Sequence, residues 1–172
     1  MLMRLWAATV VLTSSGLIAF EPINSDSVFA QKPVISPAVN KADFGVERVN
    51  AQRQATFIPT TKVPFKEGSR YGWQIQLKDY KGEVTWREIL RLPKRPETWG
   101  TNSGENFSIS PNGQDAVTKR TVTTTDGVIK NFWTITPGDP VGKHRIEVYV
   151  GDRLISAFDF EIIASNQKGA RE

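Results

Sequence analysis

Apolar and polar side chains alternate along the C-terminal part of the chain, from Phe132 to Ile163. A period of two is typical of a β-strand with one buried face. Residues 143–150 and 153–163 are separated only by Gly151 and Asp152, which accept the positive φ angles of a tight hairpin turn. The run therefore predicts three strands joined by two sharp turns.

The clearest single strand is predicted from Arg70 to Lys78. Its apolar residues fall on one face and its glycine and polar residues on the other, as in a half-buried antiparallel strand. The apolar face comprises Tyr71, Trp73, Ile75 and Leu77. Trp73 and the later Trp133 are both in phase with the apolar residues of their strands, which predicts that both belong to the core.

The next predicted strand, from Glu83 to Leu92, carries a charge on its apolar face. Val84, Trp86 and Leu90 share this face, and Glu88 interrupts it. This interruption predicts a β-bulge near Arg87 and Glu88. Pro93 and Pro96 end the strand because proline has no N–H to donate to a ladder.

Two further patterns complete the all-β prediction. Asp126-Gly127 lies between the predicted strands 116–125 and 128–136 and indicates a hairpin. Additional strands are predicted over 44–51 and 55–61, and the polar segment 97–114 is predicted to be a long surface loop with a short strand at 107–110. No segment has the pattern of an amphipathic helix. Seven or eight short strands predict an immunoglobulin-like antiparallel β-sandwich.

The first thirty residues are typical of a secretory signal peptide. Arg4 precedes an apolar run from Leu5 to Phe20, and a polar stretch leads to Val28-Phe29-Ala30, a candidate cleavage site. The alternatives are cleavage after Ala19 and a retained membrane anchor, although the run is shorter than the roughly 20 residues of a spanning helix. We expect export to the periplasm or the extracellular space, without stable membrane insertion after cleavage.

The predicted mature chain has three parts. Residues 31–42 form a flexible lead, residues 43–163 the β-sandwich domain, and residues 164–172 a polar tail. The chain contains no cysteine, which excludes disulfides, thiolate metal sites, cysteine nucleophiles and a lipid-anchored lipoprotein. Loss of Arg4, Glu21 and Asp26 with the leader raises the net charge from +4 to +5, which is compatible with an anionic partner.

Several short segments resemble a bacterial family of small secreted proteins. They are Phe44-Gly-Val, Ile58-Pro-Thr-Thr, Tyr71-Gly-Trp, Trp133-Thr-Ile-Thr-Pro-Gly-Asp-Pro, Gly142-Lys-His-Arg-Ile-Glu-Val-Tyr-Val and Phe158-Asp-Phe. Over residues 43–163 the chain is similar to domain-of-unknown-function family 3859. The resemblance implies an exported β-sandwich, and it implies neither an activity nor particular site residues.

The sequence offers little catalytic or cofactor chemistry. Residues 138–143 resemble a phosphate-binding loop, but they lack one spacer residue and precede a strand instead of a helix. His144 is the only histidine, and we interpret it as a hydrogen-bonded structural imidazole. Glu147, Asp159 and Glu161 are interpreted as a solvated strand face. We expect no enzyme activity, no cofactor and no metal site.

The strongest candidate for binding is a basic, tryptophan-containing segment that begins in the strand at 83–92. Guanidinium groups bind carboxylates, phosphates or sulfates, and an exposed indole stacks on sugars or cations. The candidate residues are Trp86, Arg87, Arg91, Lys94, Arg95 and Trp99. The alternative is that Trp86 is core and the charges are solvated. Nucleic acid is not an expected partner, because aromatic residues between the basic ones are few.

Three functions remain open at this stage. The first is an exported, non-enzymatic module that binds an envelope protein or an anionic envelope polymer. The second is a hydrolase or protease inhibitor that acts through the 97–114 loop, because long loops on rigid scaffolds often carry function. The third is a structural module that packs within an envelope assembly.

Overall fold

The structure, a computed structural model, describes residues 37–99 and 106–164. The predicted leader 1–30 and most of the predicted tail lie outside the described residues. Within the described ranges the fold is all-β, with ten strands and no helix. The strands are β1 (Val39–Val49), β2 (Ala55–Pro59), β3 (Lys62–Pro64), β4 (Arg70–Leu77), β5 (Gly82–Arg91), β6 (Phe107–Ile109), β7 (Asp115–Thr124), β8 (Val128–Thr134), β9 (Gly142–Val150) and β10 (Arg153–Ile163).

The strands form two sheets packed as a sandwich. The smaller sheet has the order β2-β1-β4-β8 and the larger one β3-β10-β9-β5-β7-β6. All neighbours are antiparallel except β3 and β10, which are parallel. The order β1-β4-β8 facing β10-β9-β5-β7 corresponds to strands A-B-E and G-F-C-C′ of an immunoglobulin-like sandwich. The predicted fold class is confirmed, with ten strands instead of seven or eight, because three-residue strands such as β3 are too short to show alternation.

The core lies between the sheets and centres on two tryptophans. Trp73 of β4 and Trp86 of β5 meet edge to face, with ring centroids 5.2 Å apart, and both are fully buried. Each contributes a large apolar area to the core. Trp133 is only half-buried because it lies on β8, the edge strand of the smaller sheet. The prediction of a core position is therefore confirmed for Trp73 and only in part for Trp133.

The hairpin predicted at Asp126-Gly127 is wrong. β7 pairs with β5 and β6, and β8 pairs with β4, so the link crosses from one sheet to the other. Asp126 closes the turn by accepting hydrogen bonds from the Val128 N–H and the Thr124 hydroxyl, each at 3.0 Å. Gly127 supplies a φ of +81°. The dipeptide thus sets a tight turn but cannot specify which sheet the next strand joins.

The hairpin predicted at Gly151-Asp152 is confirmed. Val150 of β9 lies opposite Arg153 of β10, and Gly151 has a φ of +59°. The two strands stay paired to Gly142 and Ile162, with a register shift near Leu154. This pair forms the centre of the larger sheet together with β5.

The bulge predicted near Arg87 and Glu88 is also wrong. β5 pairs with β7 without a register shift from Gly82 to Arg91, and its pairing with β9 is equally regular. Glu88 stays in phase with its apolar neighbours and is fully buried. The strand does not need to bulge because the core supplies hydrogen-bond donors to this carboxylate.

Candidate functional site

The six predicted binding residues do not form one surface. Trp86 is 1% exposed and lies in the core, so it cannot contact a partner from the surface. Arg87 and Arg91 lie on the outer face of β5, opposite Trp86, as predicted. Lys94 and Arg95 are exposed in the segment after β5, and Trp99 is half-buried instead of exposed.

The outer face of the larger sheet is a network of paired charges. Arg91 bonds Glu147 at 3.1 Å, and Arg145 bonds Glu147 at 3.0 Å and both carboxylate oxygens of Asp159 at 2.8 Å. The Arg145 hydrogen bond is the main cause that lowers the pKa of Glu147. The Arg87 guanidinium lies 4.2 Å from the centre of the Tyr149 ring. The Arg91 guanidinium is therefore already paired with a carboxylate of the protein itself.

A cavity of about 510 Å³ opens between the two sheets at the side of β8. Residues of β8 form one wall, and residues of β6 and β7 form another. It lies where the smaller sheet ends at β8, while the larger sheet continues through β7 to β6. The side chains that matter here are Tyr71, Trp99, Phe107, Arg120, Trp133, Asp139 and His144, all of which line it.

Three aromatic rings line the cavity together. The centroids of Trp99 and Trp133 lie 6.4 Å apart, and Phe107 lies 6.3 Å from each of them. The Trp99 indole N–H is fixed by the carbonyl of Gly113 at 3.1 Å. The Trp99 ring is thus held in the wall of the cavity. For this reason it is half-buried and not exposed as the sequence predicted.

Polar side chains also line the cavity. Tyr71 is 5% exposed, and its hydroxyl makes no hydrogen bond with any described residue. Burial raises the pKa of Tyr71, with smaller contributions from Asp139 and Glu88, so the hydroxyl keeps its proton. His144 uses Nδ1 to contact the Gly142 carbonyl at 2.9 Å and stacks on Phe160. Burial lowers the pKa of His144, so the ring is neutral near pH 7.

Asp139 lies in the loop between β8 and β9 and is held by its own turn. It accepts a hydrogen bond from the Thr136 N–H at 2.8 Å and a longer one from the Thr136 hydroxyl at 3.3 Å. Burial raises the pKa of this carboxyl group. The structural interpretation of His144 agrees with its contacts, since it bonds a backbone carbonyl and no hydrogen bond joins it to Asp139.

A cation lies at the rim of the same cavity. Arg120 of β7 is in phase with the buried Ala116 and Thr118, and its side chain is exposed where the sandwich opens. No carboxylate among the described residues lies within 4 Å of its guanidinium. Its charge lowers the pKa of the buried Glu88, against the larger raising effect of burial.

Glu88 lies behind the aromatic wall and joins the two sheets. Its carboxylate accepts hydrogen bonds from the Trp133 N–H at 2.6 Å, from Asn131 Nδ2 at 3.1 Å and from the Trp73 N–H. All three donors lie on the smaller sheet, whereas Glu88 lies on β5 of the larger one. Burial is the main influence on this group and raises its pKa.

Sequence reasoning missed Tyr71, Arg120 and Asp139 as cavity residues. A signal for Arg120 was present, because it is a cation on the apolar face of an alternating strand. Tyr71 gave no such signal, since a tyrosine in an apolar face is ordinary core. Asp139 is brought to the cavity by a loop whose course period-two patterns do not describe.

Two kinds of feature are absent from residues 37–99 and 106–164. No group of three or more His, Asp or Glu side chains is placed to hold a metal ion. No helix there has the length and apolar character needed to cross a bilayer.

Comparison with protein families assigns this chain to a group of β-sandwich domains. The PM0630 beta sandwich domain matches over residues 42–163, which is most of the chain. The chain belongs to the PM0630 beta sandwich domain family. The narrower resemblance to family 3859 stays a prediction. A comparison with curated proteins gives no significant match.

Two solved structures are similar to this member of the beta-sandwich family. An immunoglobulin-like protein from Pseudomonas aeruginosa is 19% identical, with a TM-score of 0.49, over 76% of this chain and 99% of that one. An alkylpurine DNA glycosylase from Pseudomonas fluorescens, bound to DNA with an abasic site analogue, is 12% identical. Its TM-score is 0.31, over 70% of this chain and 30% of that one. At these scores neither similarity bears on function.

Proposed function

We propose that this domain is an exported, non-enzymatic binding module that holds an anionic partner at the open side of the sandwich, beside β8. The observation that carries the proposal is an aromatic-lined cavity between the sheets, with Arg120 at its rim and no described carboxylate paired with that guanidinium. Ligand sites are typically concave and aromatic, with a few oriented polar groups. An envelope polymer or an envelope protein with acidic groups fits this description.

Part of the basic segment named from the sequence adjoins the cavity. The Arg95 side chain packs against Gly113, so closely that a Cβ at Gly113 would lie 2.9 Å from Arg95 Cδ. The carbonyl of Gly113 in turn accepts the hydrogen bond from Trp99. Lys94 and Arg95 are exposed and have no ion pair with a described residue. These cations therefore add positive charge beyond the end of β5, near Trp99 and away from Arg120 along the strand.

The contacts of the cavity's titratable groups support a non-enzymatic role. General acid–base catalysis needs a group free to exchange a proton with the substrate, and covalent catalysis needs an activated nucleophile. Asp139 bonds Thr136 and not His144, so this carboxylate does not orient the imidazole as a general base. The hydroxyl of Tyr71 is held in its protonated form by burial. This arrangement suits recognition by hydrogen bonds.

The test measures binding of the full-length chain to immobilised polygalacturonate, polyglutamate, polyphosphate and neutral dextran. We expect retention on at least one polyanion, none on dextran, and weaker retention as salt rises, because exposed charges are screened. The double variant Lys94→Glu/Arg95→Glu should weaken binding. Its matched control is Lys78→Glu/Lys81→Glu, which makes the same charge change around the start of β5, away from the cavity.

Three outcomes would contradict the proposal. One is that no polyanion binds, and a second is that both double variants weaken binding equally, which would leave only net charge as the cause. The third is that the polymer is shortened during incubation, which would favour the hydrolase alternative. A protein that binds only polyglutamate would be assigned an acidic protein partner.

A further inference from the structure

We infer that the cavity beside β8 is a site for a short acidic oligosaccharide, whose carboxylate pairs with Arg120 and whose hydroxyls bond Tyr71 and His144. The inference rests on the proposed function and names the ligand class of the same site. Nothing in the family match assigns a ligand to it.

The Tyr71 hydroxyl is the first observation. The Tyr71 side chain is almost completely buried, yet its hydroxyl has no partner among the described residues and the residue lines the cavity. Among the described residues, the Trp86 indole nitrogen is the one fully buried side-chain polar atom without a partner, so the Tyr71 hydroxyl is open to the cavity. A ligand hydroxyl would satisfy this group as both donor and acceptor.

The second observation is the ring nitrogen of His144 that faces away from Gly142. Nδ1 contacts the Gly142 carbonyl, so the neutral ring carries its proton there and Nε2 is left as an acceptor. His144 and Tyr71 both pack against Phe160, at ring distances of 5.1 and 5.4 Å. Both residues line the cavity, which therefore presents one donor-acceptor and one acceptor, the groups that a hydroxyl-rich ligand requires.

The third observation is the separation of His144 from the cation. Arg120 lies opposite Trp86, while His144 lies one step beyond the pairing of Arg145 with Arg91. The backbone positions of Arg120 and His144 are thus about six residues apart along the direction of β5, or roughly 20 Å. A ligand with hydroxyls at one end and one negative group at the other matches this span better than a small anion.

Aromatic rings form part of the cavity wall. Trp99, Phe107 and Trp133 line the cavity, and its volume of about 510 Å³ is within the usual range of small-molecule sites. Apolar C–H faces of pyranose rings can pack on such walls while their hydroxyls reach the polar end. A flexible acidic peptide offers the charge but not this alternation of apolar face and hydroxyl edge.

The experiment uses three defined probes on the full-length ¹⁵N-labelled chain. They are an aldotriouronic acid with one uronate and two xylose units, xylotriose as the neutral trisaccharide, and tetraglutamate as an acidic peptide. We expect the acid to shift the indole N–H signals of Trp99 and Trp133 and to bind roughly 10-fold more tightly than xylotriose, because one charge-assisted hydrogen bond is added. Added salt should remove this preference.

Four variants separate the contributions. Arg120→Gln should weaken binding of the acid about 10-fold and leave that of xylotriose unchanged, and Arg120→Lys should be intermediate because lysine keeps the charge but not the bidentate geometry. Tyr71→Phe should weaken binding of both sugars by roughly 3- to 10-fold, by loss of one hydrogen bond. Lys81→Gln is the matched control. Thermal unfolding of each variant verifies that it is folded.

The inference is overturned if the acid binds no more tightly than xylotriose, or if Tyr71→Phe leaves both affinities unchanged. It is also overturned if tetraglutamate shifts the same indole signals with equal affinity, which would indicate a protein partner. If none of the probes binds while a polyanion is still retained through Lys94 and Arg95, only this inference fails and the proposed function stands.

Discussion

The indole N–H of Trp133 donates a 2.6 Å hydrogen bond to the buried carboxylate of Glu88 across the interface between the two sheets. Immunoglobulin domains commonly join their sheets at this depth by a disulfide. This chain has no cysteine, and a carboxyl group that accepts three N–H groups from the opposite sheet occupies the core instead. Stability and its pH dependence should therefore depend strongly on Glu88.

Replacing Glu88 with Gln should destabilise the domain, and the difference should depend on pH. An amide keeps one acceptor oxygen but turns its NH₂ group toward an indole N–H, which costs about 1–3 kcal/mol. The folded pKa of Glu88 is raised above 4.5, so its contribution to stability is fully present below pH 4.5 and declines as the pH rises through the folded pKa.

Urea unfolding of both proteins between pH 4 and 8 checks this expectation. Subtracting the two curves cancels the other titrating groups. The advantage of the wild type should shrink with rising pH. A growing advantage would show that the three hydrogen bonds outweigh burial and that the folded pKa is lowered.

Trp73→Phe should lower the free energy of unfolding by about 1–3 kcal/mol more than Trp86→Phe does. Both indoles are fully buried and in contact, so the loss of apolar area is similar. Only the Trp73 N–H bonds Glu88, whereas the Trp86 N–H is buried without an acceptor among the described residues. Equal free energies of unfolding, measured in urea, would mean that the Trp73 hydrogen bond adds nothing to stability.

Gly127→Ala should destabilise the domain by about 1–3 kcal/mol more than Gly68→Ala. Both glycines have left-handed φ angles, +81° and +78°, so the backbone strain of alanine is alike. A Cβ at Gly127 would lie 2.7 Å from the Leu77 carbonyl oxygen, whereas one at Gly68 meets nothing within 4 Å. Thermal unfolding of the pair isolates this contact, and equal shifts in Tm would refute it.

His144 should make the protein less stable in mild acid. Its folded pKa is lowered by burial from 6.5, so the unfolded chain binds a proton first as the pH falls. The contribution of His144 to the free energy of unfolding should be complete above pH 6.5. It should decrease as the pH falls from 6.5 to the folded pKa. In His144→Phe this component should be absent, although the hydrogen bond to Gly142 is lost at every pH. Parallel curves of unfolding free energy against pH for the two proteins would contradict the assignment.

The predicted leader can be tested by mass. If residues 1–30 form a signal peptide, the protein recovered after export should begin at Gln31, and intact mass spectrometry would detect this start. A protein that begins at Phe20 would indicate the alternative cleavage after Ala19. Full-length protein in the membrane fraction would indicate a retained anchor.

Side-chain alternation predicted the strands well because burial of one face is a local property. Tyr71 through Leu77 followed this rule. The sheet to which a strand belongs depends on distant partners, so Asp126-Gly127 could not reveal that β7 and β8 lie in different sheets. Glu88 and Arg120 were visible as charges on apolar faces, but the residues around them are brought together only by the fold. The cavity therefore could not be predicted from spacing alone.

The parallel pairing of β3 with β10 has a consequence for biosynthesis. Val63 is fully buried and lies beside Ile162, and the neighbouring contact between Lys62 and Glu161 spans 99 residues of sequence. At synthesis rates of roughly 5–20 residues per second, β10 is translated on the order of 5–20 s after β3, and β3 has no partner strand in that interval. Within the described residues the larger sheet is thus completed only by β10, the last of their strands in sequence, and a nascent chain that stops before Arg153 leaves β3 and β9 without the strand between them.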